Sequence, residues 1–162
     1  MDEPLDIVIL GGGTAGWMAA AGLAGLLPPG RCRVRLVESD AIGIVGVGEA
    51  TLPHIKNFND SLRIDEAEMM RATNATFKLG VQFVDWGFKG SSYLHPFGVH
   101  GSAGAGLGFH QQWRRSLDAG RDWDIQDFSF ACMAAQANRF DFPATGKPTI
   151  NSTYSYAYHF DA

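Results

Sequence analysis

The sequence has few cysteines: Cys32 and Cys132 stand far apart in 162 residues and form no CxxC pair. Neither a disulfide framework nor a thiolate zinc site is expected from them, and a reducing, cytoplasmic setting is the default. A basic cluster is also lacking. Thirteen Lys and Arg against 17 Asp and Glu leave a net charge of −4, which excludes an electrostatic nucleic-acid or anionic-membrane surface. Residues 7–30 carry no charge and are long enough to imitate a membrane span. They lack the flanks and continuity that a leader or span requires. Asp2, Glu3 and Asp6 precede them where a positive segment should be, and three consecutive glycines would interrupt the helix. No internal repeat or linker is evident, and the length fits one domain with a real core.

What is present begins with "LDIVIL" (residues 5–10), a β-branched run suited to a strand buried on both faces of a parallel sheet. A glycine turn follows, then an Ala/Leu-rich helix over 14–27 that "PPG" stops, then a second strand over 33–39. Strand, turn, helix and strand make a βαβ unit. Residues 41–53 are too glycine-rich for regular structure. Residues 64–73 read as a short helix with acidic residues at its start. "TFKLGVQFVDW" (76–86) alternates, with Phe77, Leu79, Val81 and Phe83 on one face and Lys78, Gly80 and Gln82 on the other. A rival glycine cluster, Gly104, Gly106 and Gly108, follows no convincing strand and reads as a loop. Helices are expected over 109–120, ending on Gly120, and over 124–138 with Asp124 as N-cap. The tail from 152 alternates like a strand, with Asp161 placed like a helix cap.

The turn Gly11-x-Gly13-x-x-Gly16 lies where strand meets helix. Each glycine has a distinct use: a tight turn at Gly11, close approach to a pyrophosphate at Gly13, and helix–strand packing at Gly16. The helix N-terminus adds free N–H groups and partial positive charge. Glu38, 22 residues after Gly16, stands where a carboxylate bonds a ribose hydroxyl and repels a 2′-phosphate. The pattern points to a dinucleotide. It leaves FAD and NAD both open, and a tight αβ turn without any ligand has the same spacing. Trp17 is expected to pack on the sheet.

"GGGTAGW", "VESDAIGIVGVGEATLP", "TFKLGVQFVDW", "YLHPFG" and "YAYHFDA", in that order, resemble the flavin-dependent tryptophan halogenase family, a branch of the FAD-dependent monooxygenase-like enzymes. The resemblance implies FAD. It implies a Rossmann-like FAD-binding βαβ unit of the monooxygenase type, α/β and incomplete, with an inserted mixed α+β region. Gly11, Gly13, Thr14, Ala15 and Gly16 would face the pyrophosphate, and Glu38 the adenosine ribose. Residues 46–53 resemble the family's strap between flavin and substrate, with Gly48, Glu49, Ala50 and Thr51 toward the cofactor and halide. Composition alone would call this stretch a surface loop. Lys78 matches the family's catalytic lysine, which captures or orients hypohalous acid made from FADH2, oxygen and chloride or bromide. A lone lysine on a polar strand face is otherwise ordinarily solvated. His95 and Phe97 match residues that sandwich an indole; a loop histidine beside a packed phenylalanine reads equally well without the family. A separate flavin reductase would supply FADH2, and a homodimer is compatible. His100, His110 and His159 have no ligand partners at metal spacing, so no metal is expected.

Family members are several times longer, and their GWxWxIP signature is not in this sequence. The whole of 1–162 is therefore read as the N-terminal part of an FAD-binding halogenase domain, short of the later sheet strands and catalytically inactive by itself. Two other readings remain: a non-catalytic nucleotide-binding fragment, and an NAD-dependent oxidoreductase domain that would leave "GVGEATLP" unexplained.

Overall fold

The computed structural model describes residues 3–42, 48–146 and 148–161. The chain forms two compact units, Met1–Thr76 with Tyr158–Ala162, and Phe77–Ala157.

In the first unit, strands β1 (Leu5–Leu10) and β2 (Cys32–Val37) pair in parallel, Leu5 opposite Cys32 through Leu10 opposite Val37. Helix α1 (Thr14–Leu26) connects them, completing the expected βαβ unit. A parallel pair needs such a crossover, and Leu27–Pro28–Pro29 ends the helix because proline cannot continue it. Burial on both faces is not found. Ile7, Ile9, Val34 and Leu36 are half-buried, whereas Val8, Leu10 and Val37 between them are 64%, 87% and 48% exposed. One helix covers one face of a two-stranded sheet, and the alternation follows from that.

The glycine-rich stretch after β2 is partly regular. Residues 43–47, including the strap glycine Gly46, lie outside the described residues. Gly48–Ala50 then forms β3, antiparallel to β7 (Ala157–Asp161), with Gly48 opposite Asp161 and Ala50 opposite His159. Two helices follow: α2 (His54–Ser61), which the sequence reading missed, and α3 (Glu66–Ala72), where Asp65 caps by accepting from the Glu68 N–H at 2.8 Å. Gly22 and Gly25 of α1 face the Phe58 and Leu62 side chains at close range, so these two side chains pack against α1 where it carries no side chain of its own. Asp161 is the last residue of β7, and its N–H donates to the Thr73 carbonyl.

The chain enters the second unit within β4 (Thr76–Lys78), continues into the antiparallel hairpin β5 (Gly80–Val84) and β6 (Ser92–Pro96), and adds helices α4 (Phe109–Asp118) and α5 (Phe130–Gln136). The single strand expected over 76–86 is broken at Leu79. Lys78 and Leu79 are both buried, which one alternating strand with a solvated face cannot achieve. Phe77 stacks on Phe140 with centroids 3.7 Å apart, while Phe83 stacks on Tyr93 at 5.1 Å, so the expected apolar face serves two clusters. Helix α4 ends as expected, with Gly120 at φ +82° donating to Leu117 and Arg121 donating to Ser116. The helix expected over 124–138 is instead a 3-10 turn, Ile125–Phe128, capped by Asp124, followed by α5 capped by Ser129. The cluster around Gly104 and Gly106 is the expected loop, closed by paired bonds between Gly104 and Leu107.

Among the described residues no helix is long and apolar enough to cross a membrane, and no group of three or more His, Cys, Asp or Glu is placed to hold a metal ion.

Candidate functional site

The glycine turn belongs to the first unit. Gly11 has φ +116°, a conformation that favours glycine, and its N–H donates to Val37 across the sheet at 2.9 Å. A Cβ on Gly16 would overlap the Gly11 carbonyl, so the helix can leave the turn this tightly only with glycine there. A Cβ on Gly12 would overlap the Glu38 side chain, whose carboxylate therefore lies over the turn. The sequence reading gave Gly12 no role, because that contact depends on where the end of β2 comes to lie. Gly13 is the N-cap of α1, exposed, with nothing within 4 Å of a Cβ built on it. No side chain caps α1 and no acid stands in its first turn. Open space over Gly13, uncapped N–H groups and a carboxylate at the rim together fit a dinucleotide diphosphate and its ribose. Thr14 is half-buried and Ala15 exposed in the first turn. Trp17 does not pack as expected; it is 55% exposed.

On β3, Gly48 faces open space, Glu49 is half-buried and Ala50 exposed. Thr51 is tied to β7. Its hydroxyl donates to the Tyr158 carbonyl at 2.9 Å and accepts from the Tyr158 N–H at 3.0 Å.

Lys78, His95 and Phe97 belong to the second unit. Lys78 is buried, not solvated on a polar face, and burial holds its ammonium below the ordinary lysine range. Its Nζ lies over the Phe97 ring, 5.4 Å from the centroid. His95, exposed on β6, lines a different place: a cavity of about 400 Å³ walled by Tyr93, Leu94, His100, Trp113 and Asp124 among others. There His100 is held below the ordinary imidazole range, first by burial and then by the charge of His95, with Asp124 opposing. The structure thus brings Phe97 to Lys78, while His95 faces residues to which the sequence reading gave no function. Trp113 and Asp124 were legible only as helix residues, since nothing local signals a cavity closed by residues from 92 to 126. Cys132 is buried, its thiol pushed up by burial, and Cys32 is a second free thiol.

The sequence matches the tryptophan halogenase family over residues 6–162. It is 37% identical to a tryptophan 6-halogenase, SttH of Streptomyces toxytricini, over 99% of this chain and 34% of that protein. Among solved structures it is similar to BrvH, a flavin-dependent halogenase from Brevundimonas sp. BAL3 (TM-score 0.85, 38% identity, 99% of this chain and 32% of that one). It is also similar to Xcc4156, a flavin-dependent halogenase from Xanthomonas campestris (TM-score 0.85, 43% identity, 99% and 31%). The chain spans about a third of the length of the relatives it matches.

Proposed function

Because the chain belongs to the tryptophan halogenase family, we propose that it supplies the flavin-binding turn and the reactive lysine of an enzyme that halogenates an electron-rich aromatic, tryptophan or another indole. One observation carries this reading: the match runs from residue 6 to 162 and so takes in the glycine turn, the strap and Lys78 together. Relatives described as flavin-dependent favour FAD over NAD.

The N–H groups at Gly13, Thr14 and Ala15 bind the diphosphate, assisted by the α1 dipole, and Glu38 bonds the ribose. The Gly11 and Gly16 conformations hold that cradle in shape. Bound as FADH2, delivered by a separate reductase, the cofactor supplies the redox chemistry by which oxygen and chloride or bromide yield hypohalous acid. Gly48, Glu49, Ala50 and Thr51 form the strap beside it. Lys78 then acts as a buried amine. It either takes the halogen, forming N–X and releasing water, or orients hypohalous acid by a hydrogen bond. Desolvation serves both roles, since it favours the neutral amine and strengthens hydrogen bonds. Phe97 offers the arene a flat ring beside Lys78, whereas His95 faces the separate cavity and does not complete a sandwich with it.

A chimera tests the reading: residues 6–162 replace the matching third of BrvH, and bromination of indole is assayed with FADH2 and bromide. Activity is expected, and Lys78→Ala should reduce it at least a hundredfold, within the range for losing a group that acts on the reacting atoms. Undiminished activity in that variant would sink the lysine mechanism. Calorimetric titration of the 162-residue chain with FAD and with NAD separates the alternatives. Heat with FAD and no turnover is the expected result for the chain alone.

A further inference from the structure

Lys78 ends β4 and is 8% exposed, beside Leu79 at the same exposure. Few groups can face an ammonium in such a place without water. An aromatic face is one, because its quadrupole attracts a cation within about 6 Å of the centroid. Phe97 supplies that face at 5.4 Å. The ring is held there by its backbone on both sides. The Phe97 N–H donates to the Leu79 carbonyl at 2.8 Å, and the Phe97 carbonyl accepts from Ser155 at 2.6 Å. The next residue, Gly98, bridges to Tyr154, and a Cβ there would fall 2.8 Å from the Tyr154 Cβ. Because Leu79 adjoins Lys78 in the chain, the bond from Phe97 fixes ring and ammonium in one register.

We infer that Phe97 is a positioning residue of Lys78, its ring face helping to hold the ε-ammonium where β4 delivers it. The inference depends on the proposed function only for what Lys78 is for; the contact itself does not. The surrounding elements carry other titratable groups: Tyr93 and His95 on β6, Cys132 on α5, and Tyr154 and Tyr156 on the segment after residue 152. Substitution at position 97 leaves all of them unchanged.

The chain has four lysines, at 56, 78, 89 and 147, so lysine labelled with 13C at Cε and 15N at Nζ gives a simple NMR spectrum. Lys78→Arg identifies the Lys78 signal. In the parent chain, without flavin or halide, that signal should be displaced upfield by the ring current. In Phe97→Leu the displacement should shrink and the titration midpoint fall further by roughly half to one pH unit, about three- to tenfold in proton affinity. Phe97→Trp should keep both signatures. An unchanged signal and midpoint in a folded Phe97→Leu chain overturn the inference. If Phe97→Leu does not fold, Phe97→Trp and Phe97→Tyr decide alone, and loss of the upfield displacement in both overturns it. An inactive chimera would leave this result standing, and a failed titration would leave the halogenase reading standing.

Discussion

The glycines of the first turn have unequal tasks, and single substitutions can separate binding from folding. Gly13 is exposed, its φ of −74° suits any residue, and a methyl group there meets nothing within 4 Å. Gly13→Ala should therefore change stability by less than about 1 kcal/mol, the scale of an altered N-cap. It should nevertheless weaken FAD binding at least tenfold, because the methyl group occupies the space assigned to the diphosphate. Gly16→Ala should instead cost about 1–3 kcal/mol, since its methyl group meets the Gly11 carbonyl and the backbone must move. Urea titration reads the stability changes and FAD titration calorimetry the binding; a Gly13→Ala chain that binds FAD like its parent would remove the diphosphate from this turn. Spacing was enough to assign separate tasks to Gly11 and Gly16. Gly12 was not readable, because its constraint comes from Glu38 at the end of another strand. The burial of Lys78 was not readable from periodicity for a related reason: alternation puts it on the polar face, but the chain breaks at Leu79 and both residues are buried.

Among the elements, β3 shows how a glycine-rich stretch acquires order. Three residues pair with β7, and Thr51 then closes the pairing with its hydroxyl, acting as donor and acceptor to the same residue, Tyr158. Tyr158 is itself buried, and its own hydroxyl donates to Glu66 at 2.8 Å. Thr51→Val keeps the shape and removes the acceptor from a buried N–H, so it should cost about 1–3 kcal/mol, and Thr51→Ser should recover most of that. The urea midpoints of the two variants check this; equal midpoints would mean that the hydroxyl contributes nothing. The local signals that were readable here were periodicity and caps: the βαβ unit, Asp124 and Gly120 all obey short-range rules. Helix α2 escaped notice because "HIKNFNDS" is mostly polar, although Ile55, Phe58 and Leu62 stand at helical spacing. Its partner signal, the room left by Gly22 and Gly25 on α1, makes sense only once the two helices are known to meet. Ser129 divides the helix expected over 124–138 because it is extended, at φ −119°, and caps α5.

For the molecule as a whole, burial is unevenly shared. Among the described residues the buried apolar residues are Leu79, Ala131, Cys132, Tyr154, Tyr156, Ala157 and Tyr158; all but Tyr158 belong to the second unit. That unit also holds the aromatic cluster in which Phe77 stacks on Phe140 and meets Phe142 and Tyr156 edge-on. In the first unit Val8, Leu10 and Val37 are exposed on one sheet face, and Tyr158 is its one buried apolar residue among those described. Burial supplies most of the favourable free energy of folding, so the first unit should be the weaker one. Urea should then give a broad transition in which probes disagree. Trp17 is in the first unit, whereas Trp86, Trp113 and Trp123 are in the second, so fluorescence of the Trp17→Phe chain reports the second unit alone. Its midpoint should lie above that of far-ultraviolet circular dichroism, which reports both units, by about 1 M urea. That separation corresponds to a stability difference of roughly 1–3 kcal/mol at the m-values of small domains. Saturating FAD, if it binds the glycine turn, should raise the circular-dichroism midpoint and leave the fluorescence midpoint nearly unmoved, because a ligand stabilises only the structure that holds it. A single sharp transition, coincident on both probes with and without FAD, would show that the sheet face of β1 and β2 costs the chain nothing and that its two units fold as one.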